Sequence, residues 1–235
     1  YMNECSVERE KLSAFPVTAH RNALTAEHAQ FRRKISIEDV GRSMPISEPL
    51  RLLDCAPVGD GAAAVMLLGE GKAAEAGGEV VEVLSSTAAT NRFNFYERDD
   101  MLEFTATRRA AEKALSSAGL SLSNLDFIEV HDAFSITTAL SLEAMGVSKK
   151  AEAAREAYNG RFDLKGELPI STFGGLKGRG NPVGATGIYQ VAEAFLQLTG
   201  RASANQVEGA EVGLTHNMGG IDTTVAVHVL RKVEG

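Results

Sequence analysis

The sequence predicts an α/β fold, a mixed β-sheet layered with helices. Three observations point there. Short apolar runs of strand length alternate with amphipathic helical stretches, glycines punctuate the boundaries, and polar clusters fall where strand-like runs end. An apolar fraction of 44% and a charged fraction of 23% are ordinary for a globular chain, and 235 residues suffice to bury a sizeable core. The formal charge of −7 argues against nucleic acid as the main partner, because phosphate binding wants a net basic face. No apolar run approaches the roughly 18 residues of a membrane span. No leader pattern opens the chain, so the expected location is cytoplasmic. Two cysteines, Cys5 and Cys55, make no disulfide framework, and no Cys/His spacing suggests a metal site.

Residues 7–30 read as helical, with Ser6 as N-cap and Glu8 and Glu10 in the first turn. "RKISIEDV" is a short extended piece followed by a helix start, with Ser36 or Asp39 available to cap it. "APVGDGAAAVMLLGE" turns through glycine into an apolar run, Ala62 to Leu68, about one buried strand long. Gly77-Gly78 breaks the chain before a strand over Val80 to Leu84, and divides it into segments 1–78 and 79–235. In the second segment, Leu102, Ala106, Ala110 and Leu115 lie near helical spacing, with Gly119 as the stop. "LDFIEVHDAF" is a strand whose end carries His131 and Asp132, and "SITTALSLEAMG" is a helix stopped by Gly146. Residues 148–168 are polar and read as a helical excursion or loop. A glycine-rich run, a helix to about Leu198 and two strands, "AEVGLTHNMGG" and "TTVAVHVLRK", complete the pattern, with one partly antiparallel edge.

Three polar stations stand at strand ends or helix mouths: "VHDAF" (130–134), "GGLKGRGNPVGATG" (174–187) and "THNMGG" (215–220). Ligands collect at such places in α/β sheets. A single glycine-rich loop is a weak signal, since glycine also serves turns and close packing. The order and spacing of the three together are specific.

On these residues the sequence resembles the thiolase superfamily, in its archaeal and sterol-carrier-type branches. His131-Asp132-Ala133-Phe134 matches the histidine-containing box of those branches. Gly174 to Gly187 matches their "GGL…GHPxGATG" run, except that Asn181 replaces the histidine. His216-Asn217-Met218-Gly219 matches their "HNxG". The resemblance covers essentially the whole chain. It implies a thiolase-like layered fold, with 1–78 as the loop region and last strand of the N-terminal half and 79–235 as the C-terminal domain.

The activity implied is acyl transfer on 3-ketoacyl-CoA and acetyl-CoA thioesters, with coenzyme A as substrate and no covalently bound cofactor. His131 would help build an oxyanion hole. Asn181 could donate a hydrogen bond but cannot titrate. Asn217 stands where biosynthetic thiolases place an acid/base cysteine, and the Gly219 N–H would complete a second oxyanion hole. Arg21, Arg32, Arg33 and Lys34 fall where the family binds the nucleotide end of CoA. Ser171, Gly174 and Gly175 match the lining of its pantetheine tunnel. The family's nucleophilic cysteine has no counterpart here: Cys55 sits in an apolar stretch that makes a thiol inert, and Cys5 matches no motif. The opening "YMNECSVEREKLSAF" lacks an initiator methionine and reads as the inside of a protein, so a fragment or processed subunit is expected.

Two other readings stand beside this one. One is a thiolase-like lyase of the sterol side-chain type, cleaving a 3-hydroxyacyl-CoA with Tyr189 or a histidine moving the proton. The other is a non-catalytic scaffold subunit. The implied partners are an acyl-CoA, a second copy or a missing N-terminal thiolase half, and a small zinc-ribbon and OB-fold protein.

Overall fold

The computed structural model describes residues 1–73, 75 and 77–233. Its strands are β1 (Pro45–Ser47), β2 (Leu50–Arg51), β3 (Val81–Thr90), β4 (Phe127–Glu129), β5 (Val212–Gly219) and β6 (Thr224–Lys232). The helices are α1 (Met2–Cys5), α2 (Arg9–Leu12), α3 (Ala14–Ala23), α4 (Ile37–Arg42), α5 (Glu70–Ala73), α6 (Thr105–Ala118), α7 (Ser135–Ala144), α8 (Ala153–Tyr158), α9 (Gly175–Gly178) and α10 (Thr186–Leu198). β1 and β2 form a small hairpin. The main sheet runs β3-β6-β5-β4. Its first three strands are antiparallel neighbours, while β4 lies parallel to β5. Among the described residues no helix is long and apolar enough to cross a membrane.

Side chains alternate across a strand, so one strand can feed two cores. In β6, Val225, Val227 and Val229 face the main core with Ala106, Ala110 and Ala114 of α6. Leu230 faces the other way, into a second core with Phe127 of β4 and Ala194 and Leu198 of α10. α6 covers one face, and α10 covers the other over β4 and β5, leaving Ser86 and Ala88 of β3 exposed on it. α2 and α3 join the main core through Leu12, Ala14 and Phe15. α3 and α9 meet closely because Gly178 has no side chain: a Cβ there would lie 2.6 Å from the Ala19 carbonyl oxygen.

The expected glycine stops hold in the second segment, although Leu102 lies ahead of α6 and not within it. α6 ends at Gly119, which is left-handed with φ 67°, and Gly146, with φ 80°, follows α7. α8 lies inside the polar stretch 148–168. Ser36 and Asp39 both cap α4, as a reciprocal capping box. The strand after Gly78 is longer than expected, because β6 supplies partners as far as Thr90.

Two expectations need correcting. Residues 7–30 do not form one helix: α2 and α3 are separate, and Ser6 terminates α1 in the left-handed region instead of capping a later helix. The run Ala62 to Leu68 does not form a strand. An apolar run becomes a strand only where a neighbour takes its N–H and C=O groups, and no described strand pairs with it. Met66 and Leu67 are instead 84% and 76% exposed.

Candidate functional site

The parallel pairing of β4 with β5 sets Glu129 opposite Thr215. Two residues on, the same offset brings His131 beside Asn217. The Asn217 Nδ2 lies 3.2 Å from His131 Nδ1 and also donates to Gln190 Oε1 at 2.9 Å. Gln190, on α10, is buried and donates through Nε2 to the carbonyls of Glu129 (3.1 Å) and His216 (3.0 Å). One carboxamide therefore ties the ends of both strands to the side chain of Asn217.

Burial pushes the pKa of His131 down to about 4; the nearby Asp132 works against that, and Lys177 and Arg179 reinforce it. The imidazole is neutral at pH 7. With Nδ1 accepting from Asn217, its proton sits on Nε2, an uncharged donor. His216 is buried more deeply, and desolvation, with His131 adding to it, brings its pKa down to about 3. It is a structural link. Thr107 Oγ1 donates to Asp222 Oδ1 at 2.8 Å and so accepts from His216 Nε2 at 3.0 Å. The same Asp222 carboxylate takes the backbone N–H groups of Ala106 and Thr107 and starts α6.

Below His131, Asp132 and Lys177 form a buried ion pair, Nζ to Oδ2 3.6 Å. Lys177 also donates to the Asp132 carbonyl and to Thr138 Oγ1, and burial lowers its pKa. Asp132 Oδ1 accepts the Leu176 N–H at 2.6 Å. This explains Gly175, whose φ is +53° and whose missing Cβ would fall 2.4 Å from that oxygen.

Asn181 borders the other side of the α10 mouth. Its backbone is laced to residues 57–59 by Asn181 N–H to Pro57 O (3.1 Å) and Gly59 N–H to Asn181 O (3.2 Å). Thr186 Oγ1 donates to Asn181 Oδ1 at 2.8 Å, and Nδ2 has no hydrogen-bond partner among the described residues. The next residue, Gly187, packs against Asn217, where a Cβ would be 3.3 Å from Cγ. The first turn of α10 thus touches Asn181 on one side and Asn217 on the other. Asn181 lines a cavity of about 140 Å³ with His28, Gln30, Asp60, Arg179 and Tyr189.

Of the residues singled out from sequence, His131 and Asn217 are brought together, with Gly219 at the hairpin end of β5 and exposed. Ser171, Gly174 and Gly175 are buried, and Gly174 packs on Ala19 and Ala23 of α3. Arg21 is turned to Asp163, 2.5 Å away. Among the described residues Arg32 donates only to the Leu24 carbonyl, at 3.4 Å. Arg33 and Lys34 line an open groove of about 470 Å³, with Arg42 and Asp39 of α4 on its wall. Cys55 donates weakly to the Arg51 carbonyl, and burial, helped by Asp54, pushes its thiol pKa up.

Sequence reasoning missed Gln190, Lys177 and the His28–Glu193–Arg179 network. For α10 a signal existed: Gln190, Glu193 and Gln197 recur at helical spacing among apolar residues, and polar side chains buried in a helix are there to hold something.

The family model described as thiolase C-terminal domain-like matches residues 87–232, which contain His131, Asn181, Gln190 and Asn217. The chain belongs to the thiolase family. It is 42% identical over 232 residues to an acetyl-CoA acetyltransferase of Methanothermobacter thermautotrophicus, a match that covers 99% of this chain and 61% of that protein. It is 34% identical over 205 residues to sterol carrier protein 2 of Homo sapiens, covering 85% of this chain and 38% of that one. Among solved structures, the Ltp2-ChsH2(DUF35) aldolase superposes with a TM-score of 0.88 at 22% identity, over 99% of this chain and 60% of its own. The thiolase-like chain thus spans about three-fifths of the length of the acetyltransferase it matches.

Proposed function

We propose that this chain is the oxyanion-holding part of a thiolase-like acyltransferase that works on 3-ketoacyl-CoA and acetyl-CoA thioesters. The observation that carries the reading is the His131–Asn217 pair. A thioester carbonyl gains negative charge on oxygen when a nucleophile attacks it. A neutral Nε2–H, fixed by Asn217 and kept uncharged by burial, stabilises that charge without having to reorganise. Asn181 Nδ2 and the Gly219 N–H are the further donors. The thiolate that forms the acyl-enzyme comes from outside residues 1–235, since neither Cys5 nor Cys55 is placed to act. Arg33 and Lys34, with Arg42, offer positive charge to the phosphates of CoA, and Ser171, Gly174 and Gly175 shape the wall behind the pantetheine arm. The partners in this reading are an acyl-CoA, a second copy or an N-terminal thiolase half, and a small zinc-ribbon and OB-fold protein.

Native mass spectrometry of the purified protein, followed by the denaturing mass of every component, tests this. Either a polypeptide carrying the missing half co-purifies or the full-length chain contains it, and thiolysis of acetoacetyl-CoA is lost on thiol alkylation. A preparation with only a 25.0 kDa component that still cleaves acetoacetyl-CoA would sink the cysteine-dependent reading.

One observation favours a retro-aldol lyase as the second reading. Asn181 cannot exchange a proton, whereas Tyr189 and His28 line the same cavity and can. Cleavage of a 3-hydroxyacyl-CoA that survives thiol alkylation would select the lyase.

A further inference from the structure

We infer that the cavity between His28 and Asn181 is a proton-transfer site for the carbon next to a thioester carbonyl, with His28 as base and Asn181 as donor to the carbonyl oxygen. The inference rests on the CoA-thioester reading above and names the group that replaces the titratable function absent at position 181.

His28 is held as a catalytic histidine needs to be. Its Nε2 lies 2.8 Å from Glu193 Oε1. Glu193 is buried, and the same oxygen sits 2.8 Å from Arg179 Nε. A carboxylate receiving Nε2–H fixes the tautomer and leaves the Nδ1 lone pair free. Nδ1 has no hydrogen-bond partner among the described residues. The ring is clamped between Tyr189 (centroids 6.0 Å apart, 29° between planes) and Phe173 (5.4 Å, 38°). Tyr189 is in turn backed by the Arg179 guanidinium, 4.8 Å from its centroid. The imidazole side chain is 33% exposed. Across the cavity, Asn181 presents Nδ2, because Thr186 occupies Oδ1. The charged and titratable groups facing His28 are Glu193, Arg179, Tyr189 and, at the mouth, Asp60. A base with a fixed orienting carboxylate, opposite a neutral amide donor, is the minimum needed to enolise a thioester.

The step balances without a co-reactant. The C2–H bond of the acyl group breaks and its proton goes to His28 Nδ1. The electron pair forms the C1–C2 double bond, while the carbonyl π pair moves to oxygen, which takes a hydrogen bond from Asn181 Nδ2. Return of the proton to C2 reverses it. Such an enolate is the nucleophile of a Claisen condensation and the first product of a retro-aldol cleavage, so the site serves either chemistry.

The test is solvent exchange. The purified protein is mixed with acetyl-CoA in D₂O, and loss of the acetyl methyl protons is followed by NMR, with acetyl-CoA binding measured separately by calorimetry. The unsubstituted protein exchanges the methyl protons. His28→Gln keeps an amide donor toward Glu193, binds acetyl-CoA as before, and exchanges about 100-fold more slowly. In His28→Ala, added imidazole restores part of the rate. Exchange in His28→Gln at the unsubstituted rate would overturn the inference. So would a loss in His28→Ala that imidazole cannot restore, which would make the residue a packing element. Binding of acetyl-CoA with no exchange overturns this site and leaves the thioester reading intact. Failure to bind acetyl-CoA removes both.

Discussion

Asn217 has one amide and two tasks: it donates to Gln190 and fixes the neutral tautomer of His131. Asn217→Ala leaves that tautomer unfixed and removes a donor, so thiolysis of acetoacetyl-CoA by the completed enzyme should fall about 100- to 1,000-fold. The fall should appear in kcat rather than in KM. Lys177→Met leaves Asp132 as an unpaired buried charge beneath the same histidine. Its cost is about 3–5 kcal/mol, read as a lowered midpoint in urea denaturation. His131 and Asn217 were legible in the sequence because motif order marked them. Lys177 was not, because a lysine in a glycine-rich loop gives no sign that its ammonium will be buried. His28 was hidden for a related reason: its partner Glu193 is 165 residues away in sequence.

At the scale of elements, the neighbouring strands β4 and β5 carry opposing pH dependences into the fold. Glu129 is buried at the end of β4, and its Oε1 takes the Thr172 N–H and hydroxyl, while Oε2 has no partner among the described residues. Burial, and then the charge of Glu193, raise its pKa to about 8. A raised carboxyl pKa contributes stability that is complete below the unfolded value and fades as pH rises through 8. Glu129→Gln keeps the acceptor and removes the ionisation. Its thermal midpoint should therefore gain on the parent protein between pH 5 and pH 8.5. His216 acts in the other direction. Its depressed pKa contributes stability above the unfolded histidine value, lost as pH falls toward 3. Between pH 7 and pH 5 that single residue should cost about 2 kcal/mol of unfolding free energy, measurable as a falling denaturation midpoint. The strands that carry both groups, β4 and β5, were readable from pattern, as were α6, α7 and α10. The N-terminal helices were less so. The chain breaks at Ser13, between α2 and α3, inside the one helix that periodicity joins.

At the scale of the molecule, the sheet is packed by α6 on one face and by α10 over part of the other, while residues 62–68 lie outside it as an apolar ribbon. Hydrophobicity marks a segment as wanting burial; it does not name the surface that buries it, and this is why the expected strand is missing. Met66→Lys combined with Leu67→Lys should leave the thermal midpoint unchanged within about 0.5 kcal/mol equivalent, since neither side chain packs. The same pair of changes should reduce self-association in sedimentation velocity and lower binding of an apolar dye. A midpoint drop of several degrees would mean that the ribbon already packs on its own chain.

Gln190 reaches both strand ends and the site asparagine from a helix that also borders the cavity of His28. The spacing of His131 and Asn217 is therefore written into backbone carbonyls, not into the loops that follow them. Loops around the pocket can lengthen, shorten or exchange residues to suit a different acyl chain while the donors stay put. A lineage could retune what this scaffold accepts many times over and never have to rebuild the place where charge is held.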